Sequence, residues 1–244
     1  MVKEELIQRS PVRVFMNSIH GGLKPGELGL VASPSGIGKT SVLVQIALDK
    51  LLQDKKVIHI SFNKHTDYVL AWYENIFDEF IKKKNLENEQ DVKNDIVKNR
   101  VLMKFAQGGI TNEQIVRSLR ALIKDGGFNA DVLIVDGYDF SAADKDHLSA
   151  IKSFAGEMGL SAWYSCNINS SEPPSDQQRI HESIKNIAAS FETVIVLEPK
   201  KDHIALTVFR DIGGVNQDTP AARDSSPVHL ALKLDPRTLM ILEN

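Results

Sequence analysis

The chain has 244 residues, of which 42% are hydrophobic and 25% charged, and its formal net charge is −3. A chain of this length and apolar content can bury a full core, which excludes a disordered protein and predicts a single domain over residues 1–244. The weak negative charge gives no general attraction to nucleic acid. No apolar run approaches the roughly 18 residues that span a bilayer, and the charged first ten residues lack the apolar core of a signal peptide. The single cysteine, Cys166, lies in an apolar run, which favours a buried reduced thiol and a cytoplasmic location.

The first half of the chain alternates strand-like and helix-like segments. Apolar and β-branched runs predict strands at 28–32, 56–62 and 101–105, and apolar residues at three- and four-residue spacing predict helices after residue 39 and over 67–83. The aromatic stripe of the second helix, which includes Trp72, favours a core or a subunit contact, with base stacking as the alternative. A stretch rich in both charges, 82–99, predicts an exposed helix or loop. Thr111 begins a further helix that runs to about residue 124.

The second half continues this alternation and then changes. We expect strands at 130–136 and 162–166, and helices at 144–158 and 177–190. Four consecutive strands follow, at 193–197, 204–210, 228–234 and 238–242. Alternation of strand and helix followed by a strand-rich end predicts an α/β fold, with a mostly parallel central sheet flanked by helices and an antiparallel C-terminal extension.

The run from Ser33 to Ser41 has the residues of a phosphate-binding loop between a strand and a helix. Gly36 and Gly38 permit the backbone angles with which successive N–H groups surround an anion. Lys39 supplies a mobile charge for the outer phosphates, and the Thr40 hydroxyl is a hard oxygen ligand suited to Mg²⁺. Ser33 stands where the common motif has its first glycine.

Asp136 ends an apolar strand and is the candidate second ligand of the metal. Enzymes with a phosphate loop place a carboxylate at this point to hold the hydrated Mg²⁺. A strand-ending aspartate that caps the following turn is the alternative interpretation.

These features resemble the RecA superfamily, and most of all its KaiC-like and DnaB-like ATPases. The resemblance is carried by the segment Gly22-Leu23-Lys24-Pro25-Gly26-Glu27-Leu28, the phosphate loop, Asp136 and the strand-rich end. It implies a RecA-like P-loop NTPase core and a ring or filament of identical subunits. It also implies ATP binding at Ser35, Gly36, Ile37, Gly38, Lys39, Thr40 and Ser41, with Mg²⁺ at Thr40 and Asp136.

One expected catalytic group is missing from this pattern. Relatives follow the strand that matches 57–62 with one or two glutamates, whereas this chain has Asn63 and Lys64. An amide orients a water but has no basic oxygen that could take its proton. Asp67 and Asp139 are the nearest substitutes, although each has an ordinary helix-cap or turn interpretation.

Two further positions follow from the resemblance alone. Asn167 matches the place where relatives put a polar sensor of the terminal phosphate. Arg210 matches the lysine of a Lys-x-Arg pair that reaches a neighbouring subunit's phosphate site, while Ile212 replaces the arginine. A turn residue and a surface ion pair are the respective alternatives.

Three functions remain open from the sequence. The first is an ATP-binding protein, a weak or slow ATPase, whose nucleotide state controls self-assembly or a protein partner. The second is a DNA-acting motor or recombinase, which is less favoured because the matching loop, 169–176, contains two acids and no base. The third is a degenerate scaffold that does not hydrolyse nucleotide.

Overall fold

Eight strands form one sheet in the structure, a computed structural model that describes residues 11–62, 64–82, 89–106, 108–140, 146–168, 182–212 and 231–242. In chain order the strands are β1 (Leu28–Ser33), β2 (Val57–Ser61), β3 (Arg100–Lys104), β4 (Val132–Asp136), β5 (Ser161–Asn167), β6 (Thr193–Pro199), β7 (Ile204–Asp211) and β8 (Ala231–Leu234). The spatial order is β3-β2-β4-β5-β1-β6-β7-β8. Strands β1 to β6 pair in parallel, and β7 runs antiparallel to both of its neighbours. The predicted α/β architecture with an antiparallel C-terminal extension is confirmed.

Helices cover both faces of this sheet. They are α1 (Pro11–Ser18), α2 (Lys39–Leu52), α3 (Thr66–Lys82), α4 (Glu89–Lys98), α5 (Asn112–Arg120), which continues into a π-helical turn (Ala121–Asp125), α6 (His147–Met158) and α7 (Glu182–Ala188). Apolar residues of α1 to α4 form one core with one face of the sheet, and those of α5 to α7 form a second core with the other face. None of the helices in the described part of the chain is long and apolar enough to cross a membrane.

Local signals explain where several elements begin and what they bury. In α3 the buried residues recur at helical spacing, as predicted: Val69, Tyr73, Ile76, Phe77 and Phe80. Thr111 caps α5 in a capping box, since its hydroxyl accepts from Gln114 N and Gln114 Oε1 accepts from Thr111 N. Cys166 is a buried free thiol, as expected from its apolar run.

Three features differ from the sequence prediction. Helix α1 was not predicted, although Val12, Phe15 and Met16 are fully buried. The charged stretch contains helix α4, which buries Val92 and Ile96 one turn apart instead of lying wholly in solvent. The strand predicted at 238–242 is reduced to a single bridge between Leu234 and Ile241, because a turn precedes it and Leu239 has a left-handed backbone with φ 55°.

The same face of four strands ends in polar residues. Alternate residues of a strand share a face, and the apolar residues facing α1 to α4 include Val31, Val57, Ile134 and Trp163. Nearer the carboxyl ends of these strands, the same face carries polar residues: Ser33 on β1, Ser61 on β2, Asp136 on β4 and Ser165 on β5. The sheet therefore presents a set of polar side chains at its carboxyl edge, on the side where α2 begins.

Candidate functional site

The connection between β1 and α2 is a tight loop built on two left-handed glycines. Gly36 has φ 82° and Gly38 has φ 108°, and Gly38 is the residue from which α2 starts. These angles are strained for any residue with a side chain, so the sequence needs glycine at both positions. Left-handed residues alternating with ordinary ones can form a concave group of backbone N–H donors, and the start of α2 adds the positive end of its dipole.

Lys39, the first residue of α2, folds back over the end of β1. Its Nζ donates to Ser33 O at 3.0 Å, to Ser33 Oγ at 3.0 Å and to Pro34 O at 2.8 Å. Burial lowers the pKa of Lys39 to about 8, an effect that the negative charge of Asp136 partly opposes. A half-buried ammonium held by neutral oxygens is well placed to attract a phosphate.

Thr40 and Asp136 come together across the sheet. Thr40 Oγ1 donates to Asp136 Oδ2 at 2.8 Å, and Ser165 Oγ donates to Asp136 Oδ1 at 2.6 Å. Ser165 lies on β5, the strand between β1 and β4, and its hydroxyl in turn accepts from Gly137 N at 2.8 Å. Both oxygens of the carboxylate are thus oriented by hydroxyl donors.

A cavity of about 250 Å³ joins these groups and opens at the carboxyl edge of the sheet. Its described lining comprises Ser35, Gly36, Gly38, Lys39, Thr40, Ser61, Lys64, Tyr68, Trp72, Asp136, Gly137, Tyr138, Ser165, Asn167 and Leu239. Of the predicted site residues, it therefore brings together Ser35, Gly36, Gly38, Lys39, Thr40, Asp136 and Asn167.

Four other predicted site residues are not brought to this cavity by the described structure. Ile37 packs against the core, and the Ser41 hydroxyl donates to Leu239 O at 2.8 Å instead of lining the cavity. Asn63 lies outside the described residues. Arg210 pairs with Val194 near the amino edge of the sheet, away from the phosphate loop of its own chain. Its predicted contact with a neighbouring subunit stays a prediction.

Neither of the two substitute acids lines the cavity. Asp67 is 85% exposed in the first turn of α3 and pairs with His65 at 3.0 Å. Asp139 is an exposed residue between the buried Tyr138 and the half-buried Phe140. A role for either residue as a substitute base stays a prediction.

The side of the cavity next to β2 is aromatic and cationic. Ser61 Oγ accepts from Lys64 N at 3.2 Å and donates to Lys64 O at 2.9 Å, which fixes the turn after β2. Lys64 Nζ lies 5.2 Å from the centre of the Tyr68 ring, and Tyr68 meets Trp72 edge to face. Sequence analysis placed Trp72 in an aromatic stripe and Lys64 at the position of a second glutamate in the RecA-like pattern, without assigning either residue to the site.

The C-terminal segment around Leu239 contacts Gly38 and the first turns of α2. Leu239 O accepts from Ser41 Oγ and from Gln45 Nε2 at 2.9 Å, and Gln45 Oε1 accepts from Ile241 N at 2.9 Å. A Cβ on Gly38 would meet the Leu239 side chain at 3.4 Å. Contacts between residues almost 200 positions apart leave no local signal in the sequence, which is why Leu239 was not predicted as a site residue.

A buried histidine lies below the β2 side of the cavity. His59 Nδ1 is 3.1 Å from Tyr73 Oη, while His59 Nε2 is buried without a hydrogen-bond partner in the described structure. Burial lowers the pKa of His59 to about 4, so the imidazole is neutral at pH 7.

The lining can hold a metal only together with a ligand. Within the described ranges, no group of three or more histidine, cysteine or acidic side chains is arranged to bind a metal. Thr40 and Asp136 supply one hydroxyl and one carboxylate, which is the partial oxygen set that Mg²⁺ uses when phosphates and waters complete its shell. The donor chemistry therefore fits Mg²⁺ bound with a phosphate compound.

No protein-family model matches the sequence, and no curated protein sequence matches it. What this site can do chemically therefore follows from its own geometry.

Proposed function

We propose that the chain binds Mg²⁺-ATP in this cavity and hydrolyses it slowly, and that its nucleotide state controls self-assembly or a protein partner. The observation that carries the proposal is the convergence of three groups on one cavity: the left-handed glycines of the loop, the Lys39 ammonium, and the Thr40–Asp136 pair. Nothing in the packing of the core requires Lys39 or Thr40 at these positions.

Each group has a separate task in binding. The loop N–H groups and Lys39 hold phosphate oxygens, and Thr40 with Asp136 holds Mg²⁺. The ion, when bound, neutralises charge on the outer phosphates and lowers the barrier to their transfer. Ser165 keeps Asp136 in the orientation that this task requires, because its hydroxyl occupies the second carboxylate oxygen.

Slow turnover is expected because the described cavity lining contains few acids. Of the lining residues that the structure describes, Asp136 is the one carboxylate, and it is already committed to Thr40 and Ser165. The β2 side supplies Lys64, a cation that cannot take a proton from an attacking water. A missing general base typically costs about 10²- to 10⁴-fold in rate.

Fold and resemblance support the wider proposal. The mostly parallel sheet, with its phosphate loop after β1 and its antiparallel end, is the architecture expected of a RecA-like core. Assembly of identical subunits is proposed from the resemblance to KaiC-like and DnaB-like ATPases. Nucleic-acid binding remains less favoured on the acidic sequence of the loop at 169–176, which lies outside the described residues.

Calorimetric titration with Mg²⁺-ATP tests the proposal. Lys39→Ala removes a charge-assisted contact and should weaken binding by roughly 30-fold or more. Lys55→Ala is the matched control, because Lys55 is an exposed lysine that pairs with Asp131, outside the cavity lining. No binding by the wild-type protein at millimolar Mg²⁺-ATP, or equal binding by both variants, would overturn the proposal.

A further inference from the structure

Lys39 uses all three of its N–H donors within the chain. A lysine ammonium has three donors, and Ser33 O, Ser33 Oγ and Pro34 O each accept one of them. Two of these acceptors are backbone carbonyls, which any residue would supply. The third is the hydroxyl of Ser33, at the position where the common phosphate-loop motif has glycine.

Burial and hydrogen bonds hold Ser33 in the orientation in which its hydroxyl accepts from Lys39. The residue is fully buried at the end of β1, and its carbonyl also accepts from Ile168 N at 3.1 Å. Its hydroxyl donates to Pro34 O at 2.8 Å, so the oxygen lone pairs remain free to accept from Lys39. A phosphate oxygen that binds Lys39 must replace one of the three acceptors.

The geometry points to Ser33 as a positioning residue that competes with the phosphates of the ligand for Lys39, and so weakens nucleotide binding relative to a loop with glycine. This inference rests on the proposed function. When the ligand binds, a Lys39 N–H passes from Ser33 Oγ to a phosphate oxygen. The hydroxyl keeps its bond to Pro34 O, so the exchange leaves no buried donor unpaired.

The test compares Ser33→Ala and Ser33→Gly with the wild-type protein by calorimetric titration. Removal of the competing acceptor should tighten binding of Mg²⁺-ATP and of inorganic pyrophosphate by about two- to tenfold. Binding of adenosine monophosphate, which lacks the outer phosphates, should not change. Ser161→Ala is the matched control, because Ser161 is a buried strand serine like Ser33. It lies at the amino end of β5, outside the cavity lining.

A double variant separates a role through Lys39 from a general effect on the loop. In the Lys39→Ala background, Ser33→Ala should give no gain in affinity, because the lysine for which Ser33 and the phosphates compete is absent. A gain for adenosine monophosphate as well, or the same gain without Lys39, would overturn the inference.

The two proposals fail in different ways. Wild-type binding of Mg²⁺-ATP that Ser33→Ala leaves unchanged or weakens overturns the inference and leaves the proposed function standing. Pyrophosphate binding that Ser33→Ala tightens, without any binding of ATP, overturns the proposed function and the claimed effect on nucleotide, and supports only the competition between Ser33 and a phosphate for Lys39. No binding of either probe to any of the proteins overturns both.

Discussion

The cavity has two sides of different character. On the side of β1 and α2, two left-handed glycines shape the loop, Lys39 donates to oxygens at the end of β1, and Thr40 donates to Asp136. On the side of β2, the described lining consists of Ser61, Lys64 and two aromatic residues, with no acid among them. Binding a phosphate and cleaving it need different groups, and in the described lining the groups suited to binding occur without an acid suited to cleavage on the β2 side.

Introducing an acid after β2 should have the largest effect on this contrast. Asn63→Glu places a carboxylate where the RecA-like pattern that the sequence resembles has one, and we expect the rate of phosphate release to rise by about 10²- to 10⁴-fold. Steady-state phosphate release from Mg²⁺-ATP measures the change. Asn63→Gln is the control, since it has the same shape without a base. An unchanged rate with Asn63→Glu would mean that the β2 side lacks more than one carboxylate.

Removing a hydrogen-bond donor to Asp136 should weaken the proposed binding of Mg²⁺. Ser165→Ala removes the donor to Asp136 Oδ1, and loss of such a supporting contact typically costs about 10- to 100-fold in metal affinity. Titration of ATP binding against Mg²⁺ measures the effect, and Ser161→Ala on the same strand is the control. An unchanged Mg²⁺ requirement would show that Asp136 does not depend on Ser165.

The histidine below the β2 side should affect stability and not chemistry. The folded protein holds His59 neutral with a pKa of about 4, below the ordinary 6.5, so the unfolded chain binds more protons between these values. Stability is therefore lost as pH falls through this window, by roughly 2 kcal/mol between pH 7 and pH 5. Urea unfolding should show a smaller loss in His59→Gln, while the exposed control His65→Gln should behave as the wild-type protein does. Equal losses in all three proteins would contradict the account of His59.

A rise in pH should have the smallest effect, and it should act on the affinity for ATP. Because Lys39 has a pKa of about 8 in the free protein and a bound phosphate favours its charged form, ATP affinity should fall as pH rises through 8. The expected loss between pH 7 and pH 9 is about tenfold. Lys39→Arg, which keeps its charge over this range, should show no such fall. A flat wild-type profile would mean that Lys39 does not contact the phosphates.

Sequence and structure agree where the signal is local. The glycine loop between β1 and α2, the strand that ends at Asp136 and the apolar stripe of α3 were predictable, because glycine angles and hydrophobic periodicity act over a few residues. Ser165 and Leu239 were not, since each enters the site through a contact with a distant segment. Helix α1 was missed because its apolar pattern extends over only eight residues, too few to establish a helical period.

The central claim is that the protein holds Mg²⁺-ATP without cleaving it rapidly. The most direct test is to incubate purified protein with Mg²⁺-ATP, remove free nucleotide, and follow the bound ATP and ADP over time by chromatography, with Lys39→Ala as the control. The account predicts that the wild-type protein retains nucleotide that is mostly ATP, and that the variant retains none. Rapid conversion of bound ATP to ADP, or no retention by the wild-type protein, would contradict it.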